Sequence, residues 1–225
     1  VKVIFLANSD DTEGGEEKYD AELLVDGSIS VLGTAAEPVT FTSSETAPTK
    51  GDWGGIRHQQ TGVFEYAILE YSGYGIYAQN SNLTFKNSKI NYSGTYGIRG
   101  YNNSRTILIE DSEIKGVQSN AIEFWAGYQS SSFTMRRSKI TNSNGGGVYV
   151  RENGTILFED NEISGNKGAY VYFNYPYGDV SVKSNTWSNN KRGRLSIEGS
   201  YQENLNILVE GNSIVEGADN EVNGI

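Results

Sequence analysis

Apolar residues separated by four intervening positions recur in pairs along this chain: Val63 and Ile68, Phe85 and Ile90, Ile109 and Ile114, Met135 and Ile140, Phe158 and Ile163, Val182 and Trp187, Val209 and Ile214. Successive pairs begin 22, 24, 26, 23, 24 and 27 residues apart. Eight residues beyond the second member of each pair stands another apolar residue: Ile76, Ile98, Ile122, Val148, Val171, Leu195 and Val222. Seven short β-rich segments at a period of twenty-odd residues, broken by Gly, Asn and Ser, predict a solenoid whose coils stack on one shared core. Strand alternation then puts Ile76 and Ala78, Ile98 and Gly100, Ile122 and Phe124, Val148 and Val150, Val171 and Phe173, and Leu195 and Ile197 inside, with their neighbours facing water.

Two kinds of polar column support parallel, in-register stacking. Ser88, Ser112, Ser138, Asn161, Asn185 and Asn212 recur at one coil corner, where each side chain can hydrogen-bond the same position one coil away. Outward charges alternate in sign from coil to coil. One column runs Lys86, Glu110, Arg136, Glu159, Lys183, Glu210 and a second Lys89, Glu113, Lys139, Glu162. Opposite charges facing each other on adjacent strands stabilise the pair by roughly 0.2–1 kcal/mol. These columns neutralise themselves and are read as structural rather than as an ionic binding face.

The first sixty residues fit the repeat less well. Val1 to Leu6, Ala21 to Val31 with an Asp26-Gly27 turn, and Pro38 to Ser43 read as strands of two opening coils. Gly51-Asp52-Trp53-Gly54-Gly55-Ile56 follows, with glycines for a tight corner and a Trp suited to cover the end of the core. This stretch, with the repeats after it, resembles right-handed parallel β-helix proteins of the pectin-lyase-like superfamily of microbial cell surfaces, over roughly residues 20 to 225. The expected fold is therefore all-β, a right-handed single-stranded parallel β-helix of about nine coils. It is one domain over residues 1–225, with opening coils to residue 60 and seven regular repeats over 61–225, excised from a longer chain.

Composition narrows the function. A net charge of −10 repels a phosphate backbone, so nucleic acid is not an expected partner. The absence of Cys excludes disulfides, thiolate metal sites and Cys nucleophiles. No apolar run is long enough to cross a bilayer. An acidic, Cys-free solenoid rich in Asn, Ser, Thr and Gly suits the outside of a cell or its surface. No cofactor is expected. Calcium at the acidic loop Asp10 to Glu17, extended by Asp20, is the one candidate ion, although the loop lacks EF-hand spacing. Asn-x-Ser/Thr sequons begin at Asn82, Asn91, Asn102 and Asn153. The final Val222 to Ile225 read as a second strand without a cap, an open edge that allows self-association between coil ends.

The resemblance implies enzymes as well as non-catalytic proteins, and their marks are missing. Neither Asn-Thr-Asp-Gly nor Gly-His-Gly, which mark the polygalacturonase-type hydrolases, occurs. His58, the single histidine, reads as exposed and idle. Glu123 between Arg99 and Arg151 reads as a salt-bridged ladder rather than a calcium cage or a carboxylate pair. What stands out is an aromatic face: Tyr77, Arg99, Tyr101, Glu123, Trp125, Tyr149, Arg151 and Tyr172 point outward beside the second strand of each coil, with Gln79 and Asn174. Tyr128, Tyr175, Tyr177 and Tyr201 stand on the loops beyond. Five coils span roughly 19 Å at the usual strand spacing, the length of several sugar units. Flat rings with polar edges suit pyranose faces. The sequence thus reads as a non-catalytic extracellular scaffold or adhesin-like module that contacts polysaccharide or cell-surface glycan. A polysaccharide lyase or glycoside hydrolase and a structural subunit of a surface layer or filament are the alternatives. A flat array of short Thr columns, as ice binding requires, is not found.

Overall fold

A computed structural model of the chain describes residues 1–10, 15, 17–101, 106–199 and 205–215. It is all β, a parallel solenoid in which each coil contributes a strand to each of three faces. On the first face nine strands pair in parallel, starting with Lys2–Phe5 and Val39–Ser43 and ending with Ser213–Val215. Two of the nine belong to the opening coils, so about seven regular turns follow, slightly fewer than a count of nine equal coils. The second face holds Glu22–Val25, Gly55–His58, Ile76–Gln79, Ile98–Tyr101, Ala169–Asn174 and Gly193–Glu198. Between them, Ile122–Arg136 and Val148–Glu159 run without interruption from the second face into the third.

The inward columns are as the alternation predicts. Ile76, Ile98, Ile122, Val148 and Val171 are in register and fully buried, and Leu195 closes the column half-buried. Large rings fill the interior: Phe158 lies 5.9 Å from Phe173 and 6.3 Å from Trp187. Trp53 does cap the core. It is fully buried, stacked at 4.1 Å on Phe5, and donates its Nε1–H to the Glu70 carbonyl, so it offers no platform to a sugar.

The first repeat is displaced by one residue from the spacing given above. Phe64, not Val63, pairs with Phe85, and Leu69, not Ile68, pairs with Ile90. Phe64 and Leu69 are buried, whereas Val63 and Ile68 are partly exposed. The turn that follows is one residue shorter in this coil, because Ile76 still pairs with Ile98.

The polar corner forms the expected ladder. Each backbone N–H donates to the side-chain oxygen one coil on, from Ser88 to Ser112, Ser112 to Ser138, Ser138 to Asn161, Asn161 to Asn185, and Asn185 to Asn212, at 2.9–3.2 Å. A second ladder stands five residues further along, linking Ser143, Asn166 and Asn190. Outward charges pair across coils as read: Lys86 with Glu110 at 3.1 Å, Arg136 with Glu110 at 2.6 Å, and Lys139 with Glu162 at 2.7 Å. In the acidic loop only Asp10, Gly15 and Glu17 are described, and Asp11 to Gly14 and Glu16 lie outside the described residues, as do Asn102, Tyr201 and Val222 to Ile225.

Candidate functional site

In-register stacking turns the second face into columns of outward side chains. One runs Arg57, Tyr77, Arg99, Glu123, Tyr149, Tyr172, Ser196. In the neighbouring column Gln79 pairs with Tyr101, and Trp125, Arg151, Asn174 and Glu198 follow one another. All eight residues singled out from the sequence stand on this face, and they divide into two environments.

Towards the N-terminal coils the side chains pack on one another. Tyr77 is only 7% exposed, closed over by the guanidinium groups of Arg57 and Arg99 at 5.6 and 5.3 Å from its ring centre. Arg99 sits among three tyrosine rings, with Tyr96 at 5.1 Å and Tyr101 at 5.2 Å completing the set, and its Nε lies 3.5 Å from Glu123. Burial, aided by the nearby Glu123 carboxylate, pushes the Tyr96 hydroxyl up from its ordinary value. Trp125 is held edge-on against Tyr101 at 5.0 Å, faces Arg151 at 4.6 Å, and donates its Nε1–H to Glu152 at 3.0 Å. Arg151 pairs with the same Glu152 at 3.0 Å. Ring faces and guanidinium groups used in this way form a cross-coil clasp. Trp125→Ala is accordingly expected to lower stability by about 2 kcal/mol, read from urea unfolding, through loss of a ring pair, a cation–π contact and a charged hydrogen bond.

Further along, the rings leave open space. Tyr149 and Tyr172 stack at 5.2 Å with planes 23° apart. They wall a groove of about 340 Å³ together with Tyr170, which is 45% exposed, and the polar groups of Asn120, Arg194, Ser196 and Glu198. The Tyr172 hydroxyl donates to Glu198 at 2.8 Å, which raises the phenol's pKa above its ordinary value. Hydrogen bonds from Ser196 and Tyr172 hold the Glu198 carboxyl below the usual range. Glu198 also pairs with Arg194 at 3.3 Å. Tyr170 and Arg194 were not among the residues read from sequence. The signal for both was the same alternation carried two residues earlier, since Tyr170 and Arg194 pair across adjacent strands of this face.

Other sequence candidates fall elsewhere. His58 is fully buried instead of exposed: it follows Ile56 by two residues and so points inward, in register with Ala78. Asn82 is exposed, Asn91 half-buried, and Asn153 buried at 1%, which leaves its sequon closed to modification. Tyr175 is exposed and Tyr177 partly buried, while the Tyr128 side chain lies outside the described residues. Among the described residues no three of His, Cys, Asp or Glu gather as a metal site would require.

Residues 74–225 match the family model described as the right handed beta helix region. Neither a curated protein nor a solved structure matches the chain.

Proposed function

The chain belongs to the right-handed β-helix family, and from that premise we propose that it is a non-catalytic extracellular scaffold whose second face contacts a glycan chain. The observation that carries this reading is the Tyr149–Tyr172 stack beside an open groove that also presents Asn120, Arg194, Ser196 and Glu198. Stacked phenol rings offer apolar area to the faces of a sugar ring, and amide, guanidinium and carboxylate edges offer hydrogen bonds to its hydroxyls. Arg99, Glu123 and Arg151, the groups on which an enzyme reading would depend, are engaged with one another or with neighbouring rings and acids.

The test exposes the full chain to a panel of soluble and insoluble polysaccharides and assays both depletion of protein and appearance of new sugar ends. The expected result is retention without new ends. Tyr149→Ala should reduce retention about tenfold, near 1.4 kcal/mol, while changing stability by no more than about 1 kcal/mol. Trp125→Ala should do the reverse. New sugar ends would make the protein an enzyme, and no retention on any polymer would remove the glycan reading.

A further inference from the structure

The corner where the chain enters the second face departs from the charge pattern of the rest of the solenoid. Several outward cations elsewhere face acids one coil away, as Lys86, Arg136 and Lys139 do. At this corner Lys167, Lys191 and Arg192 stand together around a concavity of about 440 Å³, with Tyr170, Asn120 and Asn144. Stacking fixes the cluster. The Asn166 backbone N–H donates to the Asn190 side chain at 3.0 Å, so Lys167 and Lys191 occupy the same corner position in adjacent coils, about 4.8 Å apart along the stack. The Ala169 N–H donates to the Arg192 carbonyl at 2.6 Å, which sets Arg192 beside Gly168.

Glycines along the concavity let the backbones of adjacent coils approach closely. A Cβ on Gly145 would lie 2.1 Å from the Ser119 carbonyl oxygen, and one on Gly168 would lie 3.1 Å from the Gly145 carbonyl oxygen. Among the described residues neither Lys167 nor Arg192 is matched by an acid. Lys50 on the neighbouring loop adds a fourth cation: burial first, and repulsion by Lys167 second, push its pKa down. Lys167 and Arg192, which line the same concavity, repel each other, and a bound anion relieves them locally even though the chain as a whole carries −10. Asn120 and Tyr170 line both this corner and the aromatic groove, so one extended ligand can reach both.

We infer that the corner is an anion subsite continuous with the aromatic groove, and that the bound glycan carries oxyanion groups, whether sulfate or phosphate esters or carboxylates. This rests on the glycan reading above. Lys167 and Arg192 take the oxyanion, and Tyr149, Tyr170 and Tyr172 take the sugar rings next to it.

The probes are immobilised dextran, dextran sulfate of the same length, and polygalacturonate, each offered to the full chain and to two variants, Lys167→Gln/Arg192→Gln and Tyr149→Ala. At low salt at least one polyanion should retain the protein ten or more times better than dextran. Whether dextran sulfate or polygalacturonate does so distinguishes an ester from a carboxylate. The double variant should fall to the dextran level at a melting temperature equal to or above that of the native chain. Its slope of log affinity against log salt should be shallower by roughly 1.5, taking the dependence per charge seen with nucleic acids. Equal retention on all three polymers, or a preference for polyanions that survives in the double variant, would overturn the anion subsite alone. If no polymer is retained, or if Tyr149→Ala changes nothing, the glycan reading itself falls and the subsite with it.

Discussion

Replacing Asn185 by Ala is expected to destabilise the solenoid by about 3–5 kcal/mol, the largest effect of any single polar substitution considered. Its Oδ1 accepts the Asn161 backbone N–H at 2.9 Å and the Asn161 Nδ2 at 3.0 Å. Its Nδ2 donates to the Phe158 carbonyl at 2.8 Å and to the Asn212 Oδ1 at 2.9 Å. Asn185 is fully buried. Alanine strands the Asn161 N–H and the Phe158 carbonyl away from water, at about 1–3 kcal/mol each, and also removes the links between amides. Substitutions that restore half of the pattern discriminate this account from a simple packing loss. Asn185→Ser keeps an acceptor for the Asn161 N–H, as Ser112 and Ser138 do in their own coils, and should lose about half as much. Asn185→Asp keeps the acceptors but places a carboxylate against the Phe158 carbonyl and the Asn212 Oδ1. It should be at least as damaging as alanine at pH 7 and recover as the pH falls far enough to protonate it. Equilibrium urea unfolding of the three variants is the measurement. An Asn185→Ala loss below about 1 kcal/mol would show that the ladder is decoration on a stack held by its core.

The ladder also shows how far a sequence read by columns can go. Ser88 to Asn212 were legible because a small polar residue, Ser or Asn, recurs at one offset, and the parallel register needs nothing else to bring them together. The second ladder through Ser143, Asn166 and Asn190 carried the same signal five residues later, interrupted by Val117, which takes the coil position where a serine would stand. The displaced first repeat had no comparable signal. Val63-Phe64 and Ile68-Leu69 are both pairs of adjacent apolar residues, so hydrophobicity does not say which member faces in, and a one-residue slip exchanges the two faces. Strand pairing decides it in favour of Phe64 and Leu69.

The candidate site was legible in part, for a different reason. Alternation identifies which side chains leave the second face but not what they do with their rings afterwards. Tyr77, Arg99, Tyr101 and Trp125 look from the sequence like the same platform as Tyr149 and Tyr172. Arginines at alternate coils draw the first group into cation–π contacts, whereas the pair Tyr149 and Tyr172 stack on each other with Ser196 as the next residue in the column. The small serine is what leaves room beside them. Which rings remain available to a ligand thus depends on the neighbours one coil away, a property of the column and not of any single residue.

His58 makes the second large prediction, and it concerns acid. The imidazole is fully buried, packed at 6.2 Å from Phe64, with neither ring nitrogen hydrogen-bonded among the described residues. Gly62 lies against it so closely that an added Cβ would come within 2.5 Å of Nε2. Desolvation lowers its pKa from 6.5 to about 4, and the backbone of Gln60 pulls the other way too weakly to offset it. The folded state therefore refuses a proton that the unfolded chain accepts. Stability from this group is complete above pH 6.5 and falls as the pH drops towards 4, where the loss levels off near 3 kcal/mol. A second acid-sensitive group acts below that window. Burial pushes Glu110 up, but hydrogen bonds from Arg137, Lys86 and Arg136 outweigh it and hold the carboxyl at about 2, so its contribution is lost between about pH 4.5 and 2. Urea midpoints measured at intervals from pH 7.5 to 4 should fall steadily for the native chain. His58→Leu removes the orphaned nitrogens, should match or exceed the native stability at pH 7, and should remain nearly flat down to pH 4.5. A variant that keeps the native slope over that range would place the acid response in the carboxylates and leave the buried imidazole without a role in it.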